Sequence, residues 1–406
     1  MTHKTTPAST VLSLSAIAML ITGAVLNAGP LTPPVGPVAP TAKPLAEIEP
    51  RIAINATNTP GDNDATPSLF KITAPGAYYL TGNITGEVGK HGIEIVASNV
   101  TIDLNGFALV GVPGTLDGVG ATVINITNIE VRNGSIRSWG GDGVDLSSLT
   151  VAVCVVRDVR SSGNGARGIS TGSGSTLIRC AAYDNGTFGI AAGQGSTVTE
   201  CAAFANAGTG INASTGCTVT ACSAYDNGAN GIATAAGCTV TGSSANFNAA
   251  DGISVGFGST INACTAYSNA GNGITADSGS TINGCTARAN TRNGKRVNFA
   301  CSVLFNTCAS NGNGTGDGAG ILATGSDNRI EGNTCATSDR GIDVDGSGNI
   351  IIRNVCAGNT TNWSIAAGNH YGPIIDRTAV AAPPAVSGNS ATEALGSTHP
   401  NANFTY

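Results

Sequence analysis

Charge is what this sequence has least of. Only 11% of its 406 residues are Asp, Glu, Lys or Arg, under half the usual share in a soluble domain. Aromatic residues contribute 4%, and there are two methionines and two tryptophans. The formal net charge is −6 and no basic stripe is present to neutralise phosphates, so nucleic acid is not an expected partner. Scarce charge beside a 41% hydrophobic share excludes disorder of the charged, unfolded kind. Beyond the N-terminus no apolar run is long enough to cross a bilayer. What is abundant is glycine, with 57 residues, about twice the usual share. These glycines do not fall at every third position, which excludes collagen.

They fall in a longer register instead. Gly followed by an apolar residue occurs at Gly92-Ile93, Gly118-Val119, Gly143-Val144, Gly168-Ile169, Gly189-Ile190, Gly210-Ile211, Gly231-Ile232, Gly252-Ile253 and Gly273-Ile274. Gly294-Lys295 breaks the pattern, and Gly320-Ile321 and Gly341-Ile342 resume it. Between Gly168 and Gly294 the spacing is constant at 21 residues, and the chemistry at each offset is constant too. One column reads Thr176, Thr197, Thr218, Thr239, Thr260, Thr281, followed each time by Leu, Val or Ile. Another reads Cys180, Cys201, Cys222, Ser243, Cys264, Cys285, and a third runs from Asn185 through Asn206 to Asn311. Each unit holds runs too short for helices, bounded by Gly, Asn and Asp. No unit can bury its apolar face alone, but stacked units can. The expected fold is all-β: a single-stranded right-handed parallel β-helix of about 12 coils, each with three short strands and three turns. At ~4.8 Å per coil the rod would be roughly 58 Å long. Asparagine tolerates positive φ and can bond to its counterpart one coil away, so an Asn ladder at a corner is expected.

These offsets, from Gly92 to Cys356, resemble the pectin-lyase-like right-handed β-helix superfamily, and more narrowly secreted bacterial right-handed β-helix repeat proteins. The stretch from Phe70 to Thr81, with Val100-Thr-Ile-Asp-Leu-Asn-Gly after it, is similar to that group's first coil. His399-Pro-Asn-Ala-Asn-Phe resembles its closing segment. The resemblance implies the fold, and a range of activities that includes lyases, hydrolases, epimerases and proteins with no assigned reaction.

The ends differ in composition from the body. Residues 1–28 read as a signal peptide, with Lys4 ahead of an apolar stretch from Val11 to Leu26 and small residues at Ala24 and Ala28; an uncleaved anchor is the alternative. After cleavage no span would remain, and the protein is expected to be secreted or held at the cell surface. Residues 29–50 form a proline-rich linker. The body then divides into an N-terminal cap at 51–91, the β-helix at 92–371, and a C-terminal cap or tail at 372–406. The 12 cysteines repeat at fixed offsets, where neighbouring Cβ directions are parallel and unsuited to disulfides. They read as small core residues, with one or two bridges between offsets as the alternative. No C-x₂-C pair occurs and the histidines are scattered, so zinc is not expected.

Asp117, Asp142, Asp145 and Arg167 fall beside the register glycines of successive coils and can meet on one patch. If the chain is a pectate-lyase-like lyase or hydrolase, they are the candidates for acid–base work, and Ca²⁺ is a cofactor only in that case. Otherwise no cofactor is expected. Glu94, like Asp145, is expected to face outward, and Asp339, Arg340, Asp343 and Asp345 form a second cluster of the same kind. The strings N-T-D, G-H-G and R-I-K of polygalacturonase-like hydrolases do not occur. Outward rings are expected at Tyr183, Phe204, Tyr225 and Tyr267, a row that suits stacking against sugars. Thr197/Thr199, Thr218/Thr220 and Thr239/Thr241 form a T-x-T array resembling that of ice-binding β-helices. The leading expectation is an exported protein that binds or contributes to polysaccharide without catalysis. The lyase or hydrolase is its first alternative and an adhesive scaffold its second.

Overall fold

The computed structural model describes residues 50–147, 152–314, 316–376 and 399–406. The segments read as signal peptide and linker lie outside the described residues, except for Pro50. From Arg51 onward the chain is one compact unit.

That unit is a parallel β-solenoid with three strands per coil. In the coil beginning at Gly168 they are Ile169–Thr171, Thr176–Ile178 and Ala181–Tyr183. Each pairs in parallel, without slippage, with its counterpart 21 residues later, as in Ile169↔Ile190, Thr176↔Thr197 and Ala181↔Ala202. The first strands form one sheet. The second and third strands belong to another, because Ile129–Arg137 and Val155–Ser162 run unbroken through both positions. The turns number about 14 rather than 12, lengthening the rod to roughly 67 Å. The two extra first strands are Ser68–Ile72 and Thr361–Ile365. Their registers place Leu69 and Asn362 where other coils have glycine, which hid them from a count of Gly-Ile pairs. The first of these turns falls within the segment read as a cap. Pro60–Asp62 pairs antiparallel against it, and Asn403–Thr405 returns at the other end to pair with Val355–Ala357.

Register glycines are required by space. A Cβ on Gly231 would lie 2.6 Å from Asn248 Nδ2 and 2.7 Å from the Gly252 carbonyl oxygen. That amide belongs to the Asn ladder. Seven side-chain bonds of 2.9–3.0 Å link Asn164, Asn185, Asn206, Asn227, Asn248, Asn269, Asn290 and Asn311. All eight are buried. The left-handed conformation expected of these asparagines belongs instead to the residue before several of them, as at Asp184 (φ 54°), Ala205 (φ 53°) and Phe247 (φ 58°). An alanine in that region is sterically disfavoured. It is held there because the next residue is locked into the ladder.

The cysteines do more than fill space. All 12 are buried and free. The Cys180 amide donates to Cys201 Sγ at 3.4 Å, and the Cys222 amide donates to Ser243 Oγ at 3.2 Å in the same column. Further along, that column changes to Asn306, Asn333, Asn354 and Asn403, linked by side-chain bonds of 2.9–3.3 Å. Thiol, hydroxyl and amide are therefore alternative acceptors for one orphan backbone N–H per coil. Lys295 stands between Ile274 and Ile321 in the inward column and is completely buried. Its Nζ donates to the carbonyls of Cys285 (3.1 Å) and Thr307 (3.3 Å) and lies 3.3 Å from Cys308 Sγ.

Candidate functional site

Two outward surfaces carry chemistry-bearing side chains. The first is the early end of the first-strand sheet, where the structure brings Asp117, Asp142, Asp145 and Arg167 together. Arg167 Nε lies 2.8 Å from Asp142 Oδ2, and its guanidinium is 3.9 Å from Asp145. His91 Nδ1 is 3.4 Å from Asp117 Oδ2. Asp142 is 3% exposed, and burial pushes its carboxyl up to about 6, more than Arg167 pulls it down. A buried acid poised near neutral pH is the kind of group that moves protons.

The same side chains also hold the backbone. The Asp117 amide donates to His91 Nδ1 at 3.2 Å, which puts the ring proton on Nε2. The Asp142 amide donates to Asp117 Oδ1, and the Arg167 amide to Asp142 Oδ1, both at 2.7 Å. Farther along this column Asn230, Asp251, Asn272 and Asn293 each accept one backbone N–H from the following coil. The column is thus a third corner ladder, and an acceptor at 117 and 142 has a structural reason to be there. Glu94 points out of the core, as expected, yet is fully buried. The 60–68 segment covers it, so that it accepts from Thr66 (2.8 Å), Ser68 (3.2 Å) and Thr122 and pairs with Lys71 (3.1 Å).

Calcium does not fit this donor set. One oxygen each of Asp117 and Asp142 is occupied by a backbone N–H, and Arg167 supplies the positive charge beside them. Among the described residues no group of three His, Cys, Asp or Glu converges as metal ligands. The second cluster separates into unrelated roles. Asp339 accepts from the amides of Gly314, Gly316 and Gly318 at 3.1–3.2 Å, pinning a glycine-rich loop. Asp343 pairs with Arg340 at 2.5 Å, and Asp345 is exposed.

The second surface is the outer side of the third strands. Tyr183 pairs with Phe204, Phe204 with Tyr225, and Asn246 with Tyr267 in successive registers. The Tyr183 and Phe204 rings stack at 4.7 Å with 3° between their planes. Asn246 interrupts the column, and Phe247 fills the interruption. Its ring meets Tyr225 edge-on at 5.4 Å and Tyr267 at 5.3 Å. Phe247 lies one position off the aromatic offset, so periodicity alone did not reveal it; its left-handed backbone swings the ring into line. The result is a row of five rings over five coils, with Phe204, Tyr225, Phe247 and Tyr267 exposed and Tyr183 half-buried.

A family profile described as "Right handed beta helix region" matches residues 119–262. No curated protein sequence matches the chain. Among solved structures it is similar to the A-module of the Azotobacter vinelandii mannuronan C-5 epimerase AlgE4. The identity is 17% and the TM-score 0.52, over 73% of this chain and 90% of that one. It is also similar to tailspike protein 3 of bacteriophage CBA120, at 13% identity and TM-score 0.51, over 92% of this chain and 72% of that one. Likeness at these identities is one of fold.

Proposed function

We propose that this chain, a right-handed parallel β-helix of the pectin-lyase-like fold, binds polysaccharide along the outside of its coils outside the cell or on its surface. The row of five rings carries the reading. Sugar rings present C–H faces that pack against aromatic π-systems while their hydroxyls stay hydrated. A ring on each of five successive coils offers a polymer repeated contact with little reorganisation, because the scaffold is rigid. Six charged residues between Gly168 and Ala287 leave that stretch without an acid–base pair. One of the two similar structures above is a module of a mannuronan C-5 epimerase, a protein that acts on a polysaccharide.

The test is a glycan array probed with the body of the chain, followed by affinity electrophoresis of Tyr225→Ala and Tyr267→Ala. Each substitution is expected to weaken retention roughly tenfold, in line with the loss of one good ring contact. Unchanged mobility in the double variant would remove the row as the site.

A second reading is acid–base chemistry on an acidic polysaccharide, favoured by the raised carboxyl of Asp142. Incubation with polyuronates, followed by ultraviolet detection of unsaturated ends, tests it. Product that persists in Asp142→Asn would exclude this cluster.

A further inference from the structure

Among the described residues the arginines divide into two kinds. Arg132, Arg157, Arg167, Arg179, Arg329, Arg340 and Arg353 each have a carboxylate within 4.0 Å. Arg137, Arg160, Arg288, Arg292 and Arg296 are described in full and have neither an ion pair nor a side-chain hydrogen bond. Their positions are not scattered. Arg288 pairs in register with Tyr267 and continues the aromatic column by one coil. Arg137 pairs with Ser162, and Ser162 with Tyr183, so Arg137 stands in that same column two coils before the first ring. Arg160 lies on the same outer face, one coil before Tyr183. Arg292 and Arg296 carry the feature round the corner from Arg288. Arg296 lines a groove of about 380 Å³ with Thr275, Asn298 and Asp277, whose carboxylate already answers part of its charge. Between Asp277 and Asp317 the sequence contains no acidic residue.

An unpaired guanidinium on a protein with net charge −6 is a standing receptor for a carboxylate or sulfate, which it can grip through two parallel N–H bonds. Four of them, Arg137, Arg160, Arg288 and Arg292, bracket one row of rings, with none inside it. The row itself carries the opposite charge: Asp184 is exposed beside its first ring and Asp226 beside its third. A polymer with an anion on every sugar would meet repulsion there.

We propose that the row takes a polysaccharide carrying acidic substituents at intervals, with neutral sugars over the rings and the acidic groups on Arg137/Arg160 at one end and Arg288/Arg292 at the other. Seven coil steps along this column separate Arg137 from Arg288, on the order of 34 Å at ~4.8 Å each. This rests on the polysaccharide reading above and specifies its ligand.

The experiment is a microarray of neutral, carboxylated and sulfated oligosaccharides together with a homopolyuronate, probed at low and high salt. Glycans with one or two acidic groups on a neutral backbone are expected to bind best, with salt removing the preference. The carboxylated and sulfated arms decide which anion is used. Arg137→Gln/Arg288→Gln is expected to lower binding of these glycans roughly tenfold and leave neutral ones unchanged, whereas Tyr225→Ala lowers both. Denaturant unfolding checks that the variants fold, which is expected because the two guanidiniums hold no ion pair and Tyr225 is exposed. If neutral glycans or the homopolyuronate bind best, or the arginine variants keep the wild-type preference, this inference falls and the polysaccharide reading stands. If no glycan is retained, both fall.

Discussion

The regular coils from Gly168 to Asn290 and the irregular coils before them solve the same problem with different chemistry. Every coil leaves corner groups that must be satisfied by the next. In the regular stretch the solution is neutral and inward: columns of Asn, Cys and Ser accept one backbone N–H each. In the earlier coils much of it is ionic and outward. Asp103 joins Arg51 and Arg132, Glu130 joins Arg132 and Arg157, and Asp158 joins Arg157 and Arg179, forming one chain of charge down the corner. A constant repeat keeps small side chains in reach of each other. In the Gly118 and Gly143 coils the extra residues lie between the first and second strands, whereas the charged side chains bridge second strands that pair in register, as Arg132 does with Arg157. The ionic chain ends at Arg179, in the first of the regular coils.

If this contrast is right, single changes should cost most inside the neutral ladder. Asn248→Ala removes the acceptor of the Asn227 amide and side-chain N–H and the donor to the Ala224 carbonyl. The expected loss is ~3 kcal/mol in urea unfolding, since each stranded buried group costs about 1–3 kcal/mol. A loss under ~1 kcal/mol would mean the ladder is ornament on ordinary packing.

The acidic column should respond to pH instead. Asp142 titrates near 6 in the folded chain and near 3.9 when unfolded. Between those values the folded state keeps a proton that the unfolded state has released, so stability falls as pH rises from about 4 to about 6 and stays low above. Asp142→Asn removes that slope, worth roughly 3 kcal/mol, and keeps the oxygen that accepts the Arg167 amide, as Asn230 does for Asp251. Equal slopes in the two proteins, measured by unfolding from pH 4 to 8, would contradict the burial argument.

Cys201→Ser should matter least, under ~1 kcal/mol, because Ser243 already does the same work in that column. Cys201→Val, which strands the Cys180 amide, should cost visibly more. Equal melting of the two would reduce the thiol column to mere volume.

Strict recurrence is what made the fold legible. Gly-Ile, Thr-Val, Cys and Asn at constant offsets are enough to fix strands, corners and period. Leu69 and Asn362 concealed two turns because they stand where the other coils have glycine, and Asn362 uses its side chain to accept from the Asn359 amide. Lys295 at an isoleucine position reads as a defect, and only the carbonyls of Cys285 and Thr307 explain how it is buried. The grouping of Asp117, Asp142, Asp145 and Arg167 followed from register. Their backbone bonds did not, because which acceptor meets which amide depends on how far one coil is offset from the next. Phe247 escaped for the reason given by its φ of 58°.

The Asn ladder has one more property. In all seven links the side-chain N–H points to the later coil and the carbonyl oxygen to the earlier one. The backbone bonds between coils run both ways, as with Thr176 to Cys154 and Arg179 to Thr199, and largely cancel. The aligned amides do not cancel; they polarise one another head to tail, as peptide units do in a helix. The interior of the rod is therefore an electret, negative towards Trp139 and positive towards Asn311, and its two directions are inequivalent to any charged chain lying along it.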